Sequence, residues 1–324
     1  MVYIKGLVRK NILELIPYSS AREEYTGKDA ILMDANESPY NSPFNRYPDP
    51  GQKILKDKLG TMLGVLTERL FIGNGSDEAI DLLFRIFCNP GTDRVIIMDP
   101  SYGMYKVCAD INEVAVDFVE LDPDFRLNAG RILDKGGPDT KMVFLCSPNN
   151  PTSNLLEQVE IVKILEGFSG IVIVDEAYID FTGSDGLIPL LGKFANLVIL
   201  RTLSKAWAGA GIRLGMALGD PFLISLLGSV KYPYNVNMLT QEKALELLDN
   251  ETQKKNWVDM VLSERKRLAE ELKATGSVKK VHPSNANFLL VEVEDPDTLY
   301  DYLAGAGVIV RNRSRETHCS GCLR

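Results

Sequence analysis

Two polar clusters close apolar, β-branched runs, and their residue types suit chemistry between an amine and a carbonyl. Asp175-Glu176-Ala177-Tyr178 follows the run IVIV (171–174), and Ser204-Lys205 follows LVILR (197–201), with Arg213 further along the same loop. A lysine placed directly after a buried strand carries a desolvation cost on its ammonium unless it is paired or chemically used. Once neutral, the amine is a nucleophile toward an aldehyde. An aspartate at the neighbouring strand end can pair with a protonated pyridine nitrogen, so that the ring draws electrons from a substrate carbon. Read singly, Asp175 is a helix cap and Lys205 a solvated loop residue. Read together, they form the core of one site.

Further groups can complete such a site. Gly73-Asn74-Gly75-Ser76-Asp77 precedes the helical pattern EAIDLLFRIF, and Thr202, Ser204 and Arg213 add hydroxyls and a guanidinium. Helix N-terminal N–H groups beside a guanidinium hold an anion such as phosphate, although Gly-Ser-Asp is equally a turn and a cap. Ser147-Pro148-Asn149-Asn150-Pro151-Thr152 follows the run KMVFLC (141–146). A residue before proline is extended, which frees Asn150 to donate to a phenolate oxygen on a ring; the plain alternative is a turn. Tyr102 follows RVIIM (94–98) and can stack on a flat ring, or be an ordinary core or surface tyrosine.

These groups must be positioned by the runs that precede them. RVIIM, VAVDFV (114–119), KMVFLC, IVIV and LVILR alternate with turn-rich or helical stretches. The pattern predicts an α/β fold with a mostly parallel sheet covered by helices, and such sheets place ligands at the C-terminal strand ends. From about residue 237 the pattern changes to long charged amphipathic helices, and after Gly276 the strand-like NANFLLVEV and GVIVRN flank the short helix candidate DPDTLYDYLAGA. We therefore expect an N-terminal arm (1–35) joining a small domain, a large ligand-binding domain (36–236) and a smaller α+β domain (237–324).

Bulk properties narrow the function classes. The 324 residues carry 25% charged and 45% apolar side chains, which is ordinary for a folded soluble protein, and the net charge of −8 disfavours a nucleic-acid partner. No apolar run approaches the roughly 20 residues of a membrane span, and the N-terminus lacks a secretory apolar core, so a cytoplasmic location is expected. Cysteines stand at 88, 108, 146, 319 and 322, an odd set that reads as free thiols. His318-Cys319-Ser320-Gly321-Cys322 has the look of a metal knuckle, but His282 is the only other histidine, and no metal is expected.

The motifs SPNNPT, VDEAY and RTLSKAWAGAGIRLG, in this order and spacing, resemble those of the histidinol-phosphate aminotransferases among the class II pyridoxal-phosphate-dependent aminotransferases. The resemblance runs from LVRKNILELIPYSSAREEY to the final GCLR and implies a fold-type I transferase using pyridoxal 5'-phosphate. It implies Lys205 as the Schiff-base lysine, Asp175 on the ring nitrogen, Tyr178 and Asn150 on the ring oxygen, and Tyr102 stacked on the ring. Phosphate contacts are implied for Gly75, Ser76, Asp77, Thr202, Ser204 and Arg213, the first three partly through backbone N–H groups. Tyr47 is implied to reach the cofactor phosphate of a partner subunit, hence a homodimer with shared sites.

For substrate, the resemblance points to Tyr18, Asn36, Arg311 and Arg324. The implied reaction is a ping-pong transfer of an amino group from L-histidinol phosphate to 2-oxoglutarate, giving imidazole acetol phosphate and glutamate, a step of histidine biosynthesis. Lys205 is implied to move the proton at the substrate carbon. An aromatic amino acid aminotransferase and a phosphothreonine decarboxylase-like enzyme share the cofactor motifs. A non-catalytic ligand-binding protein on the same fold is disfavoured, since no helix-turn-helix appendage or basic stretch is present. Two departures stand out: Ser153 occupies a loop position usually held by glycine, and relatives continue beyond the position of Arg324, so that the small domain reads as shortened.

Overall fold

The computed structural model describes residues 2–18, 31 and 33–324. Among them, seven strands form one sheet: β1 (Leu70–Asn74), β2 (Arg94–Asp99), β3 (Ala115–Glu120), β4 (Thr140–Cys146), β5 (Ile171–Asp175), β6 (Leu197–Thr202) and β7 (Leu214–Leu218). Their order is β1-β7-β6-β5-β4-β2-β3, with β2 to β6 parallel and β7 antiparallel to both β6 and β1. The five expected apolar runs are the five parallel strands. Every residue of β5 is buried, because helices cover both faces of a parallel sheet and favour unbroken apolar sequence. Each buried Ile or Val there contributes about 1.5–3 kcal/mol.

Strands β1 (LFIGN) and β7 (LGMAL) lie outside the expected set. Both are short and contain a glycine, which weakens a strand signature. The glycine of β7 has a packing reason. Gly215 faces Gly73 in register, and a Cβ on it would lie 2.1 Å from the Ser76 nitrogen and 2.3 Å from the Gly75 carbonyl carbon. Backbone presses on backbone at the place where β1 passes into the helix Ser76–Phe87.

A second, antiparallel sheet has the order β10-β9-β8, with β8 (Val278–Val281), β9 (Val291–Val293) and β10 (Cys322–Leu323). Val291, Val293 and Leu323 pack against Leu272 from the helix Glu251–Lys273 and against Leu299 and Leu303 from the helix Pro296–Gly305. NANFLLVEV is strand only from Val291, since Ser284 Oγ bonds the backbone of Ala286 and Phe288 and holds the earlier residues in turns. GVIVRN is not a regular strand. It makes one bridge, Asn312 with Leu323, because its partner β10 is only two residues long. Arg311 and Arg324 still exchange backbone hydrogen bonds of 3.0 and 2.8 Å.

The asparagine loop after β4 ties to this second sheet's approach segment. Ser153 has φ 62°, a left-handed conformation that explains the usual preference for glycine there. Its N–H donates to the Asn149 carbonyl at 2.8 Å and its own carbonyl accepts from the Asn285 N–H at 2.7 Å. Its hydroxyl adds a 3.3 Å bond to the Pro283 carbonyl. These partners offset the strain of a side chain at that position. No helix among the described residues is long and apolar enough to cross a membrane.

The close approach at Gly215 has a measurable consequence. Gly215→Ala is expected to lower stability to urea by about 1–3 kcal/mol, the usual cost of overpacking. An unchanged urea midpoint would contradict the contact.

Candidate active site

The C-terminal ends of β1, β2, β4, β5 and β6 open onto one cleft of about 640 Å³. Asp175 closes β5 and is buried there. Its Oδ2 accepts from the Tyr105 hydroxyl at 2.8 Å, and its Oδ1 accepts from the Ala177 N–H at 3.0 Å. Burial pushes its pKa up to about 6, against the pull of those two hydrogen bonds. Tyr105 is fully buried and stacks on Phe144 with ring centroids 5.0 Å apart, so the donor is rigidly placed.

Lys205 lies three residues beyond the end of β6, with Nζ 5.5 Å from the centre of the Tyr178 ring. The expectation of a desolvated lysine does not hold: the turn after Thr202 carries the side chain out of the sheet, and it is exposed to the cleft. Tyr178 is buried and meets Phe288 edge to face at 5.1 Å. Burial, with Cys146 and Asp175 nearby, pushes its phenol well above the usual range, so it acts as a neutral donor or acceptor.

Hydrogen-bond donors able to hold an anion gather along the cleft. The helix Ser76–Phe87 starts there with no side-chain cap, leaving first-turn N–H groups for a ligand. Thr202 Oγ1 donates to Ser204 Oγ at 2.9 Å and accepts from the Ser204 N–H at 3.0 Å. Arg213, at φ 54°, turns its guanidinium into the cleft, 3.3 Å from Asp77 Oδ2. The backbone role expected of Gly75 does not hold. Its N–H donates to the Arg213 carbonyl at 2.7 Å because β1 and β7 remain paired at that point. Tyr102 lines the same region, with its hydroxyl 3.3 Å from Asp77 Oδ1 and its ring edge-on to Tyr105.

A second cationic group comes from the C-terminal segment. Arg311, Arg313 and Arg324 all line the cleft. Arg324 lies over Phe288 at 5.0 Å and donates to Asn150 Oδ1. Burial first, then Arg313 and Arg311, hold its guanidinium below the usual range. Asn150 is thereby oriented by a residue of the second sheet. Arg313 pairs with Glu316 at 2.5 Å.

Thus Lys205, Asp175, Tyr178, Tyr102, Asn150, Gly75, Ser76, Asp77, Thr202, Ser204, Arg213, Arg311 and Arg324 share one cleft. Tyr18, Asn36 and Tyr47 do not line it: Tyr18 and Asn36 are exposed, and the half-exposed Tyr47 stacks on Tyr234 at 4.4 Å. Sequence reasoning missed Tyr105, Arg313 and Glu316. It also missed the buried pair of Glu176 with Arg201, 2.7 Å apart, which anchors the Leu187 N–H at 2.6 Å just behind the site. Only the adjacency of Glu176 to Asp175 hinted at that pair.

The buried carboxylate ties stability to pH. A carboxyl group raised from 3.8 to about 6 favours folding below its ordinary pKa, and that contribution disappears as pH rises through 6. In cofactor-free protein, Asp175→Asn should therefore gain roughly 3 kcal/mol over the native chain at pH 8 and little at pH 4. Parallel urea curves for the two proteins across that range would refute the burial cost.

Comparison with known proteins places this geometry. The family model described as "Aminotransferase class I and II" matches residues 24–324. A histidinol-phosphate aminotransferase of Parabacteroides distasonis is 52% identical over 321 residues, covering 99% of this chain and 93% of that one. Among solved structures, the histidinol-phosphate aminotransferase of Clostridium acetobutylicum aligns with TM-score 0.77 at 26% identity, over 84% of this chain and 82% of that chain. The Sinorhizobium meliloti enzyme, solved in complex with pyridoxal-5'-phosphate, aligns with TM-score 0.79 at 21% identity, over 90% and 84% respectively.

Proposed function

Because the chain belongs to the class I and II aminotransferase family, we propose that it transfers the amino group of L-histidinol phosphate to 2-oxoglutarate, using pyridoxal 5'-phosphate. One observation supports the reading: Arg213 beside the helix start Ser76–Phe87 and the cluster Arg311, Arg313 and Arg324 line a single cleft together with Lys205 and Asp175. One subsite suits a cofactor phosphate. The other suits a substrate that brings its own anion, phosphate in one half-reaction and carboxylate in the other.

The cleft fits this cofactor on observations of its own residues. Among the described residues Asp175 accepts two hydrogen bonds, which leaves its cleft-lining carboxylate room for a third donor. Gly75, at φ 74°, holds a left-handed conformation that favours glycine, and with no side chain there the Arg213 guanidinium lies directly beside the loop. Ser76 and Asp77 through their N–H groups, Thr202 and Ser204 through hydroxyls, and Arg213 would hold the phosphate. Asp175 would hold the ring nitrogen, Tyr178 and Asn150 the ring oxygen, and Tyr102 the ring face. When bound, pyridoxal 5'-phosphate supplies an aldehyde for the amine and an electron-withdrawing ring.

Around it, this chain's residues bind, orient and move protons. Lys205 Nζ would hold the cofactor at rest and, once free, would take the proton from the donor's reacting carbon. Its exposed position on the Tyr178 face leaves it mobile enough to serve twice. Arg311 and Arg324 clamp the distal anion, and Arg324 passes that contact to Asn150. The 1–35, 36–236 and 237–324 division is part of this reading, supported by the change from a parallel to an antiparallel sheet. So is a cytoplasmic homodimer in which Tyr47 reaches a neighbour's cofactor phosphate, with Tyr18 and Asn36 as substrate-binding residues. Exposed Ile16, Ile31, Met33 and Tyr40 along the same N-terminal stretch support that surface.

Lys205→Ala should reduce turnover at least about 100-fold, the lower end of what a positioned proton-transfer group contributes. Substrate identity is read from the bound-cofactor absorbance on separate addition of histidinol phosphate, phenylalanine, phosphothreonine and glutamate. Histidinol phosphate and glutamate should convert it. Faster conversion by phenylalanine, or CO₂ release from phosphothreonine, would replace the substrate assignment.

A further inference from the structure

Outside the site, one cluster of nucleophilic side chains is left without a role. The five free cysteines fall into two groups. Cys88 and Cys108 are isolated core thiols that burial pushes up to about 12, and Cys146 is pushed higher still under β4, as inert structural thiols are. Cys319 and Cys322 differ. They share the turn Cys319-Ser320-Gly321-Cys322, closed by the Cys322 N–H donating to the Cys319 carbonyl at 2.9 Å, with Gly321 at φ 75°. A turn closed in this way brings its end Cα atoms within about 7 Å, close to the roughly 4.4–6.8 Å that a disulfide spans.

Their surroundings also differ. Cys322 Sγ lies 3.8 Å from the Ser320 carbonyl; the nearby Cys319 and then His282 lower the Cys322 thiol, and Cys322 raises that of Cys319. One sulfur is thus prepared to attack and the other to resolve. The pair is buried, but His318 and Ser320 beside it are exposed, so the turn lies just beneath the surface. Among the described residues no group of three His, Cys, Asp or Glu side chains could hold a metal ion.

We infer that Cys319 and Cys322 are an oxidation site, a dithiol that a low-molecular-weight disulfide converts reversibly to an intramolecular disulfide. Cys322 attacks one sulfur of the reagent and expels a thiolate. Cys319 then attacks Cys322 Sγ, breaking the mixed disulfide and expelling the second thiolate, which leaves with the Cys319 proton. Two electrons pass from the cysteine pair to the reagent, giving one protein disulfide and two small thiols. The site is wired to substrate binding. The Cys322 carbonyl accepts from the Arg313 N–H at 2.9 Å, Arg324 lies two residues on, and Thr317 bonds Asp99 at the end of β2. Closing the sulfur bridge draws on the segment that carries the distal arginines.

The experiment equilibrates the holoenzyme in glutathione buffers of rising oxidised fraction, alkylates free thiols, and digests with trypsin. Cleavage after Arg315 puts both cysteines in one peptide, Glu316–Arg324. The expected result is an internal disulfide in that peptide, reversed by dithiothreitol, with Cys88, Cys108 and Cys146 still alkylated after denaturation. Cys319→Ser should trap glutathione on residue 322, and Cys322→Ser should trap none. A peptide that stays reduced in excess oxidised glutathione, or one that stops at a mixed disulfide in the native chain, overturns the site.

A second arm rests on the proposed reaction. Oxidation should raise KM for histidinol phosphate about tenfold, the loss of one charge-assisted hydrogen bond, and leave kcat in place. The double serine variant should be unaffected by the same buffer. An unchanged KM in the oxidised native enzyme removes the coupling. If histidinol phosphate is no substrate at all, the functional reading fails while the peptide result still decides the oxidation site.

Discussion

A carboxylate stands fully inside the apolar sheet at the end of its middle strand, and the surrounding structure answers to its cost. Asp175 closes β5, whose other residues are all Ile and Val. An isolated buried carboxylate protonates or is destabilising, and here it keeps part of its acidity through Tyr105 and the Ala177 N–H, with a smaller pull from the Lys205 charge. Tyr105 is in turn wedged against Phe144 of β4. The result is a preorganised acceptor whose desolvation cost is recovered only when a cationic donor arrives from the cleft.

The same logic of opposed charges runs through the rest of the site. Arg213 and Asp77 hold each other at the helix N-terminus until an anion competes. Arg313 and Glu316 do so at the distal wall. Neither pair is deeply buried, so each is weak enough to rearrange. Glu176 with Arg201 is different: it is buried and bonded on both oxygens, and it serves as a fixed brace behind Asp175.

Communication between the two sheets passes through a few polar contacts. Ser153 bonds to residues 283 and 285, Arg324 reaches Asn150, and Thr317 reaches Asp99. Each joins a strand-end loop of the large sheet to the segments around the small one. Movement of residues 311–324 therefore alters the ring-binding asparagine and the distal arginines together.

Much of this was legible in the sequence. The five parallel strands are continuous β-branched runs, and the polar residues after them are the cleft, because a parallel sheet exposes its loops at one end. Asp175, Lys205, Asn150 and Arg213 stood out only when read together, by residue type as well as by position. Strands β1 and β7 did not, because their glycines answer to a close backbone approach that no local pattern records. Tyr105 was invisible because its role depends on a partner seventy residues away, as Glu176 depends on Arg201 from the next strand. Residue types and their place after apolar runs tell which side chains stand at strand ends and what chemistry they permit. Which of them are buried, paired or open to the cleft follows from desolvation and charge pairing, and these arise when distant segments close on one another.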